Sequence, residues 1–275
     1  MLGSIEPVRV RTALGAVAVH TLGAGLPTVL WHDLFVDGSS WGYVAPQLLA
    51  GRRLLLVDGP GWGRSDRLPR RVQPDSAAAA AIDVLAALSP GAAVDWVGNG
   101  WGGRIGIELA ATRPELLRSL VAVGASPRPL APAARKRLRS ALPLLFVAGP
   151  VPPVARAIFE DLLAAQSRTE PGTVGAVVDA LALAGSRSRT RAVRAFLLDR
   201  PDLTHLLPRI EAPSLFVTGG DGGDWPLLAA ERDAALAPFA RAVSVAGSRE
   251  LIPLERPAPL ARLIREFWSS LEVPD

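Results

Sequence analysis

Short apolar runs alternate with longer helical stretches through the first half of the chain, and this alternation restricts the fold more than any other feature. Thr28–Trp31, Arg53–Val57, Ala93–Val97 and Leu120–Val123 have the length and composition of strands, and Val17–Thr21 reads as an earlier one. Ser40–Ala50 reads as a helix ending at Gly51. An alanine-rich helix is capped by Asp75 or Ser76 and runs to about Leu88, and Trp101–Thr112 reads as a third helix. Strands separated by helices pair in parallel, so the expected fold class is α/β: a mostly parallel central sheet flanked by helices.

The alternation stops at about Ser126. From there to Pro208 the chain is helical, with interspersed prolines and arginines, and reads as an insertion lying over the sheet. Strands resume at Ser214–Thr218 and Ala242–Val245, with a helix at Leu227–Leu236 between them. The closing helix, Pro257–Leu271, places Leu260, Leu263, Ile264 and Phe267 on one face. The expected organisation is a core of residues 1–125 and 209–275 carrying a helical insertion of residues 126–208. A chain of 275 residues that is 49% hydrophobic can bury one large core.

Several function classes drop out. With no cysteine, thiolate nucleophiles, disulfides and cysteine-ligated metals are excluded. Net charge is only +4, and Lys136 is the sole lysine beside many arginines. The basic clusters Arg135, Lys136, Arg137, Arg139 and Arg187, Arg189, Arg191, Arg194 read as solvated helix faces, so no nucleic-acid partner is expected. No run reaches the ~18 apolar residues needed to span a membrane, and the N-terminus lacks a secretion-signal pattern. The expectation is a cytoplasmic protein with a small-molecule substrate or ligand, no membrane partner and an open oligomeric state. No residue pattern calls for a metal or an organic cofactor.

Four stretches resemble the α/β-hydrolase superfamily, specifically its members with a helical cap. Thr28–Trp31 followed by His32 resembles the family's His-Gly segment. Asp58-Gly59-Pro60-Gly61-Trp62-Gly63-Arg64-Ser65-Asp66 resembles its D-x-P-G-x-G-x-S-D loop. Gly98-Asn99-Gly100-Trp101-Gly102-Gly103 lies between a strand and a helix, where the family carries its nucleophile elbow. Leu254-Glu255-Arg256-Pro257 is similar to the family's C-terminal end. The resemblance implies an α/β-hydrolase fold, with the insertion as its cap.

The resemblance also implies reactive residues that this chain does not have. Gly100 stands at the nucleophile position and offers no hydroxyl, carboxylate or thiol. Glu250 stands at the histidine position, and the chain's three histidines are His20, His32 and His205. The acid has two candidates, Asp221 and Asp224. Asp33 replaces the glycine usual beside the oxyanion donor, and the expected donors are the N–H groups of Trp101 and Leu34. If Asp33 faces the pocket, then Asp33, Glu250 and one of Asp221 or Asp224 converge near Gly100. Crowded carboxylates cannot all ionise, so at least one would hold a proton near neutrality. Asn99, Gly100, Trp101, Leu34 and His32 are the candidate substrate-contacting residues. The expected activity is carboxylate general acid–base chemistry on a small organic molecule, by hydration, elimination, isomerisation or ring closure. The alternatives are a catalytically silent ligand-binding protein and hydrolysis by carboxylate-activated water.

Overall fold

The computed structural model describes residues 6–147 and 151–272. Its strands are β1 (Val8–Thr12), β2 (Gly15–Gly23), β3 (Leu26–Trp31), β4 (Arg52–Asp58), β5 (Val94–Asn99), β6 (Leu117–Val123), β7 (Ser214–Gly219) and β8 (Ala240–Val245). They form one sheet in the order β1-β2-β4-β3-β5-β6-β7-β8. β2 pairs antiparallel with β1 and β4, and every pairing from β4 through β8 is parallel. β4, β5, β6 and β7 are buried along nearly their whole length. Their almost unbroken apolar runs are what parallel strands covered on both faces require.

The helices are α1 (Ser76–Leu88), α2 (Trp101–Thr112), α3 (Pro132–Val147), α4 (Pro152–Leu162), α5 (Pro171–Leu183), α6 (Ser186–Val193), α7 (Leu227–Ala234), α8 (Ile252–Glu255) and α9 (Pro257–Glu272). α1, α2 and α7 cover one face of the sheet through residues such as Val84, Ile105 and Ala230. α9 covers the other with Leu260, Ile264, Phe267 and Trp268. This is the mostly parallel sheet flanked by helices that the sequence predicts. Helices α3 to α6 are the insertion, placed between β6 and β7. Among the described residues, no helix is long and apolar enough to cross a membrane.

Local expectations differ in four places. Ser40–Ala50 is not a helix but two 3-10 turns, Gly38–Trp41 and Ala45–Leu48. Gly42 ends the first turn and Pro46 lies at the start of the second, too close together for an α-helix to propagate. β1 escapes the pattern because Val10 is its one buried residue, as befits an exposed edge strand. Asp75 occupies the cap position of α1 without a capping hydrogen bond, and Ser76 bonds Gln73 instead. The second arginine cluster is a solvated face only in part: Arg187 and Arg194 are exposed, but Arg189 is buried and donates to the Leu181 carbonyl, and Arg191 donates to that of Leu68.

Two contacts matter for the site. A Cβ on Gly102 would lie 2.4 Å from the Trp31 carbonyl oxygen, so only glycine lets α2 press onto the end of β3. Glu255 accepts from the N–H groups of Ala164 (2.7 Å) and Arg249 (2.8 Å), tying the insertion to the core.

Deeper in the sheet, Asp95 has a fully buried side chain. It accepts from Arg52, from Arg118 and, at 2.6 Å, from the Ser119 hydroxyl. The Arg52 guanidinium stacks 3.4 Å over the Trp268 ring, joining β4 and β5 to α9. Asp95→Ala would leave Arg52 buried without its counter-charge. We expect a loss of roughly 3–5 kcal/mol in denaturant unfolding. A loss below about 1 kcal/mol, the range of a surface pair, would show that the network is not holding the strands.

Candidate active site

The parallel strands deliver their C-terminal ends to one edge of the sheet. There His32–Phe35 follows β3, Gly100 follows β5, Gly124 follows β6, Asp224 lies in the loop after β7, and Glu250 in the loop after β8. Over this edge stand α3, α4 and a π-helical turn, Arg194–Leu198, that ends α6. Between them lies a cavity of about 520 Å³. Its walls are apolar, including Leu138, Val154, Ile158, Leu162, Phe196 and Leu197. Its polar lining includes Asp33, Asp224, Glu250, Arg104 and Arg200.

Gly100 adopts φ 49° and ψ −109°, a conformation open to glycine and strained for other residues. The turn aims the Trp101 N–H at the loop after β3. That N–H donates to Asp33 Oδ1 at 2.8 Å, and the Leu34 N–H donates to the same oxygen at 2.7 Å. A Cβ built on Gly100 would lie 2.0 Å from Asp33 Oδ1 and 2.1 Å from its Cγ. The Asp33 carboxylate thus fills the space a side chain at position 100 would need. Asp33 Oδ2 has no protein partner among the described residues.

Burial pushes the Asp33 carboxyl up to about 7, against its two N–H donors and the Arg200 charge, which hold it down. Glu250 is pushed up to about 8, first by burial, with the Asp224 N–H opposing and the Asp224 and Asp33 charges adding. Glu250 Oε1 accepts from the Asp224 N–H, and the Asp224 carboxylate pairs with Arg200. Three of the four acids expected from the sequence therefore line one cavity. The fourth, Asp221, does not: it accepts from the Gly247 N–H at 3.1 Å, outside the lining. Of the two aspartates that spacing leaves open, Asp224 is the one that lines the cavity.

Gly100, Trp101 and Leu34 also line the cavity, whereas Asn99 and His32 do not. The Asn99 amide is spent on the carbonyls of Val123 (3.0 Å) and Glu250 (2.8 Å), so it pins the Glu250 loop. His32 is fully buried, which lowers its pKa. Its Nε2 accepts from the Gly59 N–H at 2.7 Å, which leaves Nδ1 to donate to the Asp33 carbonyl at 2.6 Å. The ring holds the Asp33 loop in place without reaching the cavity.

Arg104, Phe196 and Arg200 also line the cavity, and no motif in the sequence singles them out. Arg104 carried one signal, one helical turn beyond Gly100 on α2. Its terminal nitrogens donate to the carbonyls of Ser126, Arg128 and Pro201, and burial with the Arg200 charge lowers it to about 9. Phe196 and Arg200 carried none, because the π-helical turn that sets their direction has no sequence signature. Phe196 stacks on Trp101 with ring centroids 4.7 Å apart. Among the described residues, no group of three His, Asp or Glu side chains is arranged to hold a metal ion.

A family model described as alpha/beta hydrolase fold matches residues 18–246. A pimeloyl-[acyl-carrier protein] methyl ester esterase of Xanthomonas oryzae pv. oryzae is 28% identical over 276 aligned positions, covering 92% of this chain and 99% of that protein. Among solved structures, a thermophilic esterase from Thermogutta terrifontis superposes with a TM-score of 0.87 at 22% identity, covering 98% of this chain and 100% of its own. The enol-lactonase from Burkholderia xenovorans LB400 gives 0.84 at 18% identity, covering 95% and 100%.

Two outcomes are expected. An acid whose pKa is raised by folding binds its proton more tightly in the native state, so stability falls as pH rises from the unfolded to the folded value. For Asp33 and Glu250 that window runs from about 4 to about 8. Asp33→Asn keeps an oxygen for both N–H donors and removes the titration. It should match the parent at pH 4 and exceed it at pH 8 by on the order of 4 kcal/mol; parallel pH profiles would contradict this. Separately, Gly100→Ser should destabilise the parent more than it destabilises Asp33→Gly. The double-mutant cycle should show a coupling of about 1 kcal/mol or more, and zero coupling would place the Asp33 carboxylate elsewhere.

Proposed function

The chain belongs to the alpha/beta hydrolase fold family, and we propose that it is an enzyme acting on a small organic molecule by carboxylate general acid–base chemistry, without a serine nucleophile. The observation that carries this reading is the seat of Asp33: one oxygen on the Trp101 and Leu34 N–H groups, the other without a protein partner in a largely apolar cavity.

The esterases and the lactonase that resemble this chain are named for cleaving ester bonds. Acyl transfer needs a nucleophile at the turn after β5 and free donors for the oxyanion that forms. Here position 100 has no side chain, and the two best-placed donors hold Asp33. The same arrangement argues against hydrolysis by carboxylate-activated water, which would need those donors for its tetrahedral intermediate. What remains well provided is proton transfer. In this reading Asp33 Oδ2 takes a proton from the substrate, and Glu250, which keeps its own proton to higher pH, donates one. A base and an acid with values raised to near neutrality suit hydration, elimination, isomerisation or ring closure. The helices of the insertion would serve as the cap that keeps water from the acids.

The test uses small apolar ketones and β-keto esters in D₂O, with NMR following loss of the α-proton signal. The protein should accelerate exchange, and Asp33→Asn should slow it by about 10²-fold or more. A fluorophosphonate should leave the intact mass unchanged. Exchange undiminished in Asp33→Asn, or a fluorophosphonate adduct on a serine, would contradict the proposal.

A further inference from the structure

With Asp33 occupying the donors of Trp101 and Leu34, the charge that proton abstraction creates on a substrate has to be met elsewhere in the cavity. The lining offers few cations. Arg104 has both terminal nitrogens held by carbonyls, and Arg249 donates to the carbonyls of Asp161 and Asp221. Arg137 is largely exposed and faces Asp161 at 3.7 Å.

Arg200 differs from these. Its side chain is only 8% exposed, and it makes one interaction with protein, from Nη2 to the Asp224 carboxylate. Nε is buried with no partner, and no bond from Nη1 exists among the described residues. A mostly buried guanidinium with unused donors is costly unless a ligand satisfies it. Arg200 is also close enough for its charge to act on Asp33 and on Arg104. Asp224 holds Nη2, Nε is enclosed, and Nη1 is the donor left for a ligand.

We propose that Arg200 is the oxyanion subsite of this cavity, and that the substrate is an apolar molecule carrying one enolisable carbonyl group, whose oxygen becomes anionic in the reaction. This rests on the acid–base reading for its chemistry, though not for its binding. In the step, a C–H bond next to a carbonyl breaks, the proton goes to Asp33 Oδ2, and the electron pair moves onto the carbonyl oxygen as an enolate. Arg200 receives that oxygen, and returning the proton to carbon or oxygen completes the turnover. The apolar walls contributed by α3, α4 and the π-helical turn accept the rest of the molecule.

The test is equilibrium binding by calorimetry, independent of turnover, with 2-naphthoate as the anionic probe and 2-naphthylmethanol as its neutral match. Wild type should bind naphthoate about tenfold or more tightly than the alcohol. Arg200→Gln should lose that preference while binding the alcohol within about threefold of wild type, and Arg200→Lys should keep part of it. Asp33→Asn should retain the preference, so failure of the acid–base chemistry and failure of the subsite give different results. No preference in wild type, no binding of either probe, or an equal loss of both in Arg200→Gln with Arg200→Lys unchanged would overturn the assignment.

Discussion

Two backbone N–H groups pointing at one spot are the constraint around which this site is built. The turn after β5 and the loop after β3 aim the N–H groups of Trp101 and Leu34 at a single position. Buried donors of that kind need an acceptor. With glycine at position 100 there is room for one from inside the protein, and Asp33 supplies it. Its carboxyl then sits where burial favours the neutral form and the donors favour the anion, and the balance falls near neutrality. A group poised there can both take and give a proton.

The surrounding network keeps this arrangement fixed. His32 holds the Asp33 loop through its ring nitrogens, Asn99 pins the Glu250 loop, and Glu255 fastens the insertion beside both. These side chains lie behind the cavity wall and hold it in shape. Further in, the Asp95 cluster ties the parallel strands whose ends carry the loops. The electrostatics of the site therefore follow from how firmly the sheet edge is held, since a carboxyl free to swing into water would return to its ordinary value.

The sheet was legible because parallel strands buried on both faces leave continuous apolar runs, and β3 through β7 all show them. β1 was not, because an edge strand with one buried residue, Val10, resembles a loop. Gly42 and Pro46 break residues 40–50 into two short turns, a spacing that disfavours an α-helix there. In the site, motif spacing places Asp33, Glu250 and the pair Asp221 and Asp224 at strand ends, and it does not tell which of that pair faces the cavity. Asn99 and His32 were given cavity roles because spacing does not tell which way a side chain turns, and here both turn to backbone groups. Arg200 had no local signal at all. Its position depends on the path of the insertion, and only tertiary structure brings it to Asp224.

The central claim is that Asp33 is a buried carboxyl, seated on two N–H groups, that titrates near neutrality. With ¹³C at the aspartate side-chain carboxyl and Asp33→Asn to assign the signal, NMR can follow its titration directly. A midpoint near 7 agrees with the account. A midpoint close to 4, where an exposed aspartate titrates, would contradict it.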